Sequence, residues 1–496
     1  MIFLLIILTI VIFSFISQFF SKYNRVFIFT SILFVLFFYY FLAHLHNRDE
    51  INSFKYRDSV YYNRLVKAFK EYNLHIAKDP NPIPQNQNAR QLYVEAVTKN
   101  HALFWLWDCS YYKGYIYIYF GLTPVLLFYL PFNLITNSFL PDQIVILILA
   151  SIIFLISLLI IRKISTVFLH LKIPLWIQIL TIFLIGISDF TIFFLVQPHI
   201  YEVSIISAGL LLLLGIYLFL QYCCSTNIKK NRYYIFFIGL VLALSVGCRP
   251  HYILFIPLFF IAILYFEYSR KTHVKKIIKY SLFFIIPCLL YGSILATYNY
   301  LRFDSIFEFG WKYQLNDIPI YTNIFPIKDF LLGLKYHIFQ VPLISENLPI
   351  FFSVKAVGHS LANEKTIGLI FVFPLSIFLL LLPKIIHCFW IRKEKHILVF
   401  LFLSIYILII NLFIVCMAGM TLRYNFEYIY IISILSIFVF YIIYTKSKIK
   451  IKFILSTLFI TLFIFSLYIN FSILLNDNYI TFYPSEYKTK IILFLM

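Results

Sequence analysis

Long apolar runs separated by short clusters of lysine and arginine set the pattern of this chain. A run of about 20 apolar residues matches the roughly 30 Å hydrocarbon core of a bilayer. Such runs recur near residues 2–20, 26–45, 142–161, 175–196, 203–222, 233–248, 251–267, 279–299, 366–386, 396–416, 425–445 and 453–474. The pattern predicts an all-α polytopic membrane protein with about 12 (11–13) transmembrane helices. Two polar stretches interrupt it. The first follows residue 45, is rich in charge and aromatics, and carries Asp49, Glu50, Asp58 and Asp108. The second lies near 300–365. The implied organisation is an N-terminal pair of spans (1–45), a long outer loop with interfacial helices (46–141), a transmembrane bundle (142–299), a second outer loop (300–365), the C-terminal spans (366–475) and a short tail (476–496).

Composition agrees with lipid as the solvent. Of the residues, 62% are hydrophobic and 12% charged, whereas a soluble domain carries about 25% charged residues. The 41 basic and 21 acidic residues give a net charge of +20. In a soluble chain that excess would point to nucleic acid. Here the basic residues cluster in short loops, as at Lys22/Arg25, Arg162/Lys163/Lys172, Lys229/Lys230/Arg232, Lys275/Lys276, Arg392/Lys393/Lys395 and Lys446/Lys448. The positive-inside rule puts all of these on the cytoplasmic side, so no nucleic-acid partner is expected. Residues 46–141, 197–202, 249–250, 300–365 and 417–424 then face outward. That alternation requires the run 116–137 not to cross fully. It contains Pro124 and Pro131 and many aromatics, which suit an interfacial or re-entrant hairpin. Residues 2–20 have neither a preceding basic region nor a following small-residue cleavage site, and read as a retained span. No CxxC occurs among the seven cysteines, and only Cys109 lies in the long loop, which supports neither a disulfide framework nor a zinc site.

Candidate chemistry gathers on the outer face. Tyr61, Leu65, Phe69, Tyr72 and Ile76 recur at helical spacing, with Arg64, Lys67, Lys70 and Glu71 opposite. This predicts an amphipathic helix along the interface. Asp58-Ser59 opens it, either as a helix cap or as a working carboxylate. The block 105–124 is dense in Trp and Tyr; it reads equally as an interfacial belt or as an aromatic wall for a sugar or prenyl chain, with Asp108 able to bind hydroxyls. Tyr201-Glu202, Arg249, and Arg423 with Glu427 lie at span ends on the same side. Such charges anchor a span by snorkelling to water, or line a cavity. Arginine's planar fork suits phosphate. Arg302, Glu308 and Lys312 belong to the aromatic-rich block 298–315. No Walker loop, GxGxxG, HExxH or GxSxG occurs, and no internal repeat of the transporter type.

From Asp58 to Leu74 the chain resembles the GT-C-type glycosyltransferases, polytopic enzymes that use polyprenyl-phosphate-linked sugars. In that superfamily an early outer loop carries an Asp, often Asp-Glu, followed by Tyr and an amphipathic helix. Asp58 matches the Asp, Tyr62 the Tyr, and Val66 or Ala68 the small apolar positions; Ser59 replaces the Glu. The pieces 107–124, Tyr201-Glu202, Arg249-Pro250, 298–315 and Arg423-Tyr424 resemble a branch of bacterial membrane proteins placed beside these enzymes. The resemblance implies a multi-pass protein of the bacterial cytoplasmic membrane that transfers a sugar, with inversion, from a polyprenyl phosphate to an outer acceptor. It implies Asp58 as general base, with Asp49 and Glu50 as the competing acid pair. Asp108, Glu202, Arg249, Arg302 and Arg423 would bind substrate or lipid phosphate, seconded by Tyr62, Tyr201, Glu308 and Glu427. A divalent metal ion is left open as cofactor. The competing reading is a transporter or lipid-linked-sugar flippase, which would want charges at mid-bilayer and broken helices.

Overall fold

The computed structural model describes residues 24–46, 61–78, 109–119, 121–188, 191–196, 198, 200–314, 327–344, 351–352, 354–355, 357 and 365–474. The chain forms two compact units. One comprises residues 1–48, 146–197 and 326–496, the other 49–145 and 198–325.

Among the described residues nine helices are long and apolar enough to cross a membrane. They are Arg25–His44, Asp142–Phe168, Ile200–Cys224, Pro250–Ser269, Val274–Phe303, Pro374–Ile391, Ile397–Ala418, Leu422–Lys446 and Ile449–Leu474. The protein is therefore a multi-pass helical membrane protein, and the difference from the expected twelve has three sources. The run 2–20 lies outside the described residues. The run 175–196 is split into Leu175–Ile187 and Thr191–Val196. The run 233–248 forms the helix Ile228–Val246, whose first turns carry Lys229, Lys230 and Arg232 and so shorten its apolar part.

In the first unit Leu422–Lys446 is the central helix, with 94% of its apolar stretch buried. In the second unit Ile200–Cys224 takes that place, at 83%. Val274–Phe303 buries only 22% and presents Leu282, Ile286, Leu289 and Ile294 outward, as a lipid-facing helix should. It packs against Ile228–Val246 through backbone. A Cβ on Gly239 would collide with the Phe284 carbonyl oxygen, so a bare backbone is needed for the approach.

The outer parts of the second unit are built on this bundle. The amphipathic helix is Tyr61–Lys70. It buries Tyr62, Asn63, Leu65, Val66 and Ala68, so its inner face is turned by about one residue from the expected Tyr61/Leu65/Phe69 stripe. The helix stops at Lys70. Tyr72 then takes a positive φ of 57° and is 99% exposed, which removes it from the apolar face. The chain returns as Ala77–Lys78 and pairs with the hairpin Ser110–Tyr112/Tyr115–Tyr117. Lys113 and Gly114 both have positive φ, the hallmark of a tight two-residue hairpin turn. Next comes the helix Val125–Thr136. At 1.5 Å per residue its 12 residues reach about 18 Å, short of a bilayer core.

Candidate functional site

A buried polar junction forms in the second unit where the amphipathic helix meets the bundle. Its floor is the turn after Ile228–Val246. The backbone N–H groups of Cys248 and Arg249 both donate to the Ser245 carbonyl, at 3.0 Å. The segment 121–123 docks onto this turn. The Thr123 N–H donates to the Gly247 carbonyl at 3.0 Å. Its hydroxyl donates to the Leu244 carbonyl at 2.7 Å and lies 2.5 Å from the Tyr291 hydroxyl. Gly121 permits the contact, since a Cβ there would overlap the Gly247 oxygen. From the other side the Ser204 hydroxyl donates to the Cys248 carbonyl at 2.8 Å. The turn is held from three directions. Arg249 leaves it half-buried and extended, at φ −141°, the conformation that the following Pro250 favours.

Tyr62 enters the junction from above. It is fully buried, with its ring 5.0 Å from that of Tyr129. The Tyr129 hydroxyl donates to the Asp142 carboxylate, and Asn63 donates to the Leu140 carbonyl at 2.9 Å, which ties the amphipathic helix to the approach to Asp142. Burial raises the Tyr62 phenol well above its ordinary pKa, with Cys248 and Asp142 adding to the rise and Ser204 and Arg249 opposing it. Glu202 is buried in the first turn of Ile200–Cys224, where the positive helix end favours a carboxylate, and Tyr201 beside it is half-buried.

Arg302 and Glu308 have structural partners. The Arg302 guanidinium donates to the Ile118 carbonyl and to Asn299 Oδ1, each at 2.8 Å, and stacks 3.8 Å above the Tyr298 ring. It clamps the hairpin's exit to the end of Val274–Phe303. Glu308 accepts from the Gly310 N–H at 2.7 Å, closing the loop before the turn Trp311–Tyr313. The Gly310 carbonyl in turn accepts from the Ser110 hydroxyl at 2.8 Å. At the hairpin tip Lys113 and the Tyr112 hydroxyl both bond the Asp304 carboxylate.

In the first unit Arg423 is half-buried in the turn Leu422–Asn425, 5.9 Å from the Tyr424 ring centre. Glu427 is buried in the first turn of Phe426–Lys446, and its carbonyl accepts from Asn411 at 2.6 Å. Beneath that turn lies a buried network with no counterpart in the sequence expectation. The two ring nitrogens of His337 face Asn425 Oδ1 at 2.5 Å and the Gly419 carbonyl at 3.1 Å. The Tyr428 hydroxyl donates to Asn425 Oδ1 at 2.7 Å.

Asp49, Glu50, Asp58 and Asp108 lie outside the described residues. Among the described residues no group of three or more His, Cys, Asp or Glu could hold a metal ion. Sequence reasoning missed Asp142, Tyr129, Ser204 and Thr123. The single local signal is Pro141-Asp142-Gln143 at the mouth of an apolar run, which by itself marks only a span boundary.

No family model matches the sequence, and no curated protein matches it. In fold the chain is similar to the crystal structure of the oligosaccharyltransferase of Archaeoglobus fulgidus in its apo form. The TM-score is 0.51 at 12% identity, over 92% of this chain and 56% of that one. The chain spans a little over half the length of that enzyme. The junction around Tyr62 and Arg249 belongs to the second unit, and Arg423 and Glu427 to the first.

Proposed function

We propose that the chain is a membrane glycosyltransferase that moves a sugar from a polyprenyl-phosphate donor to an acceptor on the outer side of the bacterial cytoplasmic membrane. The observation that carries this reading is the fold shared with an oligosaccharyltransferase across 92% of the chain. The polar junction supports it, because it gathers donors and acceptors at the end of an apolar bundle rather than at mid-span.

In the proposed step the acceptor hydroxyl oxygen attacks the anomeric carbon and its proton passes to a carboxylate. The bond from the anomeric carbon to the phosphate oxygen breaks, and its electron pair leaves with the lipid phosphate. Asp58 is the proposed base, since an ordinary carboxylate near pKa 4 is ionised at neutral pH and free to accept the proton. Arg249 is proposed to take the departing phosphate. Its guanidinium fork matches the charge that develops there, and its backbone root is fixed by Ser245, Ser204 and the 121–123 segment. Asp142 is a second proposed carboxylate.

The test uses membranes carrying the full chain or its Asp58→Asn variant, incubated with radiolabelled polyprenyl-phosphate sugars and a membrane extract. Transfer of label to an acceptor by the wild type, lost in Asp58→Asn at equal protein level, is the expected outcome. Wild-type turnover by Asp58→Asn removes that residue from the role of base. Failure of every donor sugar to yield labelled acceptor overturns the reading as a whole.

A further inference from the structure

The helix Ile327–Leu334 continues as a π-turn, Lys335–Phe339, in the stretch expected to be the second outer loop. Its polarity is reversed for a helix that faces water. Asp329, Gly333 and His337, spaced by four, form the buried stripe. Ile327, Leu331 and Phe339 are exposed at 76%, 56% and 55%, with Lys335 completing their stripe. The apolar exposure continues through Leu343 and Ile344. Against water, a stripe of this kind would be turned inward by the hydrophobic effect and the aspartate and histidine turned outward.

Depth follows from the neighbouring helix Lys395–Ala418. Its 24 residues reach about 36 Å, enough to cross the bilayer from the Arg392–Lys395 cluster. Phe330 packs on Phe413, ring centres 5.5 Å apart, and a Cβ on Gly333 would collide with the Cys416 carbonyl. The segment therefore lies beside the last two turns of that helix, within about 10 Å of its far end. Ile409 and Phe413 are themselves exposed at 59% and 48%, so the apolar face of the segment extends the lipid-facing stripe of the helix. Lys328 and Lys335 have stems long enough to lie along apolar surface and heads that reach phosphates. A protein partner's core would have to bury those charges.

We propose that residues 327–339 lie in the plane of the membrane, sunk into the leaflet opposite the lysine-rich turns, with lipid acyl chains covering the Ile327/Leu331/Phe339 face. The buried stripe then sets a height. His337 bonds the Gly419 carbonyl and Asn425, so the anchor holds the turn that carries Arg423 at the headgroup boundary. The proposal stands independently of glycosyl transfer.

The test is site-specific quenching in the full-length protein. Leu331→Cys and Phe339→Cys are made separately in a background with Cys224→Ser and Cys388→Ser, labelled with bimane and reconstituted into phosphatidylcholine vesicles. One set of vesicles carries lipid with a nitroxide near the headgroup end of the acyl chain; the other receives iodide in the buffer. Tyr72→Cys is the aqueous control. The nitroxide lipid is expected to remove most of the emission at both test sites, and iodide little of it, with the reverse at the control. Iodide quenching at the test sites equal to the control would overturn the proposal. So would protection from both quenchers, which would mean a second copy or another protein covers the face.

Discussion

Asp304 and Lys113 meet on water-exposed ground, where the hairpin tip touches the loop after Val274–Phe303. Both take positive φ, at 55° and 51°, so the pair joins two strained turns. The bond from Lys113 holds the Asp304 carboxyl below its usual range, with the Tyr112 hydroxyl second; the same contact raises the Lys113 amine. A carboxyl depressed by folding stabilises the native state above its unfolded pKa of about 3.9, and the contribution disappears as pH falls through the lower folded value. The raised amine contributes below its unfolded pKa of about 10.4 and loses its share as pH rises through the folded value. The stability gap between wild type and Asp304→Asn is therefore expected to be small and flat at neutral pH and to close in acid. A gap that widened in acid in thermal melts would contradict the pairing. Single residues are also where sequence reading reaches least far. Arg302 has the charge of a phosphate ligand, but its partners, Ile118 and Asn299, depend on where the hairpin lands. Thr123, Leu244 and Tyr291 form one network across more than 160 positions of chain, and no local spacing announces it.

Elements are more legible, because lipid fixes helix length and the interface fixes polarity. The amphipathic helix is visible from its spacing, but its exact inner face is decided by Tyr129 and Leu140, which take up Tyr62 and Asn63. The helix 327–339 is hidden in the sequence, because its apolar stripe makes no sense against water. The pair Ile228–Val246 and Val274–Phe303 gives an element-scale prediction. At Gly239 the two backbones nearly touch, and a Cβ added there would also stand 3.1 Å from the Pro287 ring, so a larger side chain has nowhere to go. Gly239→Leu is expected to separate the helices, at a cost of about 3 kcal/mol or more from overpacking. Because Gly121 and Thr123 rest on the end of the same helix, the damage should reach the junction. Thermal aggregation of the detergent-solubilised protein should start well below the wild-type temperature. Unchanged melting would show that the helices are not in contact there.

At the scale of the whole molecule, a contact inside the second unit bears on what periodicity left open. Lys113 bonds Asp304, so the hairpin tip and the loop after Val274–Phe303 share one side of the membrane. The chain between them must cross an even number of times. Asp142–Phe168, Ile200–Cys224, Pro250–Ser269 and Val274–Phe303 have the length and apolarity to cross, and Ile228–Val246 runs between the second and third of these as a reverse passage. That makes five, so one of the two marginal segments crosses and the other does not. Val125–Thr136 reaches about 18 Å, whereas Leu175–Ile187 alone reaches about 20 Å and Thr191–Val196 adds about 9 Å of helix. The longer segment is the one expected to cross, which leaves the shorter in one leaflet. Lys172, between Asp142–Phe168 and Leu175–Ile187, is then expected across the bilayer from the hairpin. In sealed vesicles of known orientation, made with Cys224 and Cys388 replaced by serine, Tyr72→Cys and Lys172→Cys should react with a membrane-impermeant maleimide from opposite faces. Labelling of both from the same face would mean that Val125–Thr136 spans in place of residues 175–196, and would move the loop carrying Lys172 to the hairpin's side while Arg249 and the later loops keep theirs.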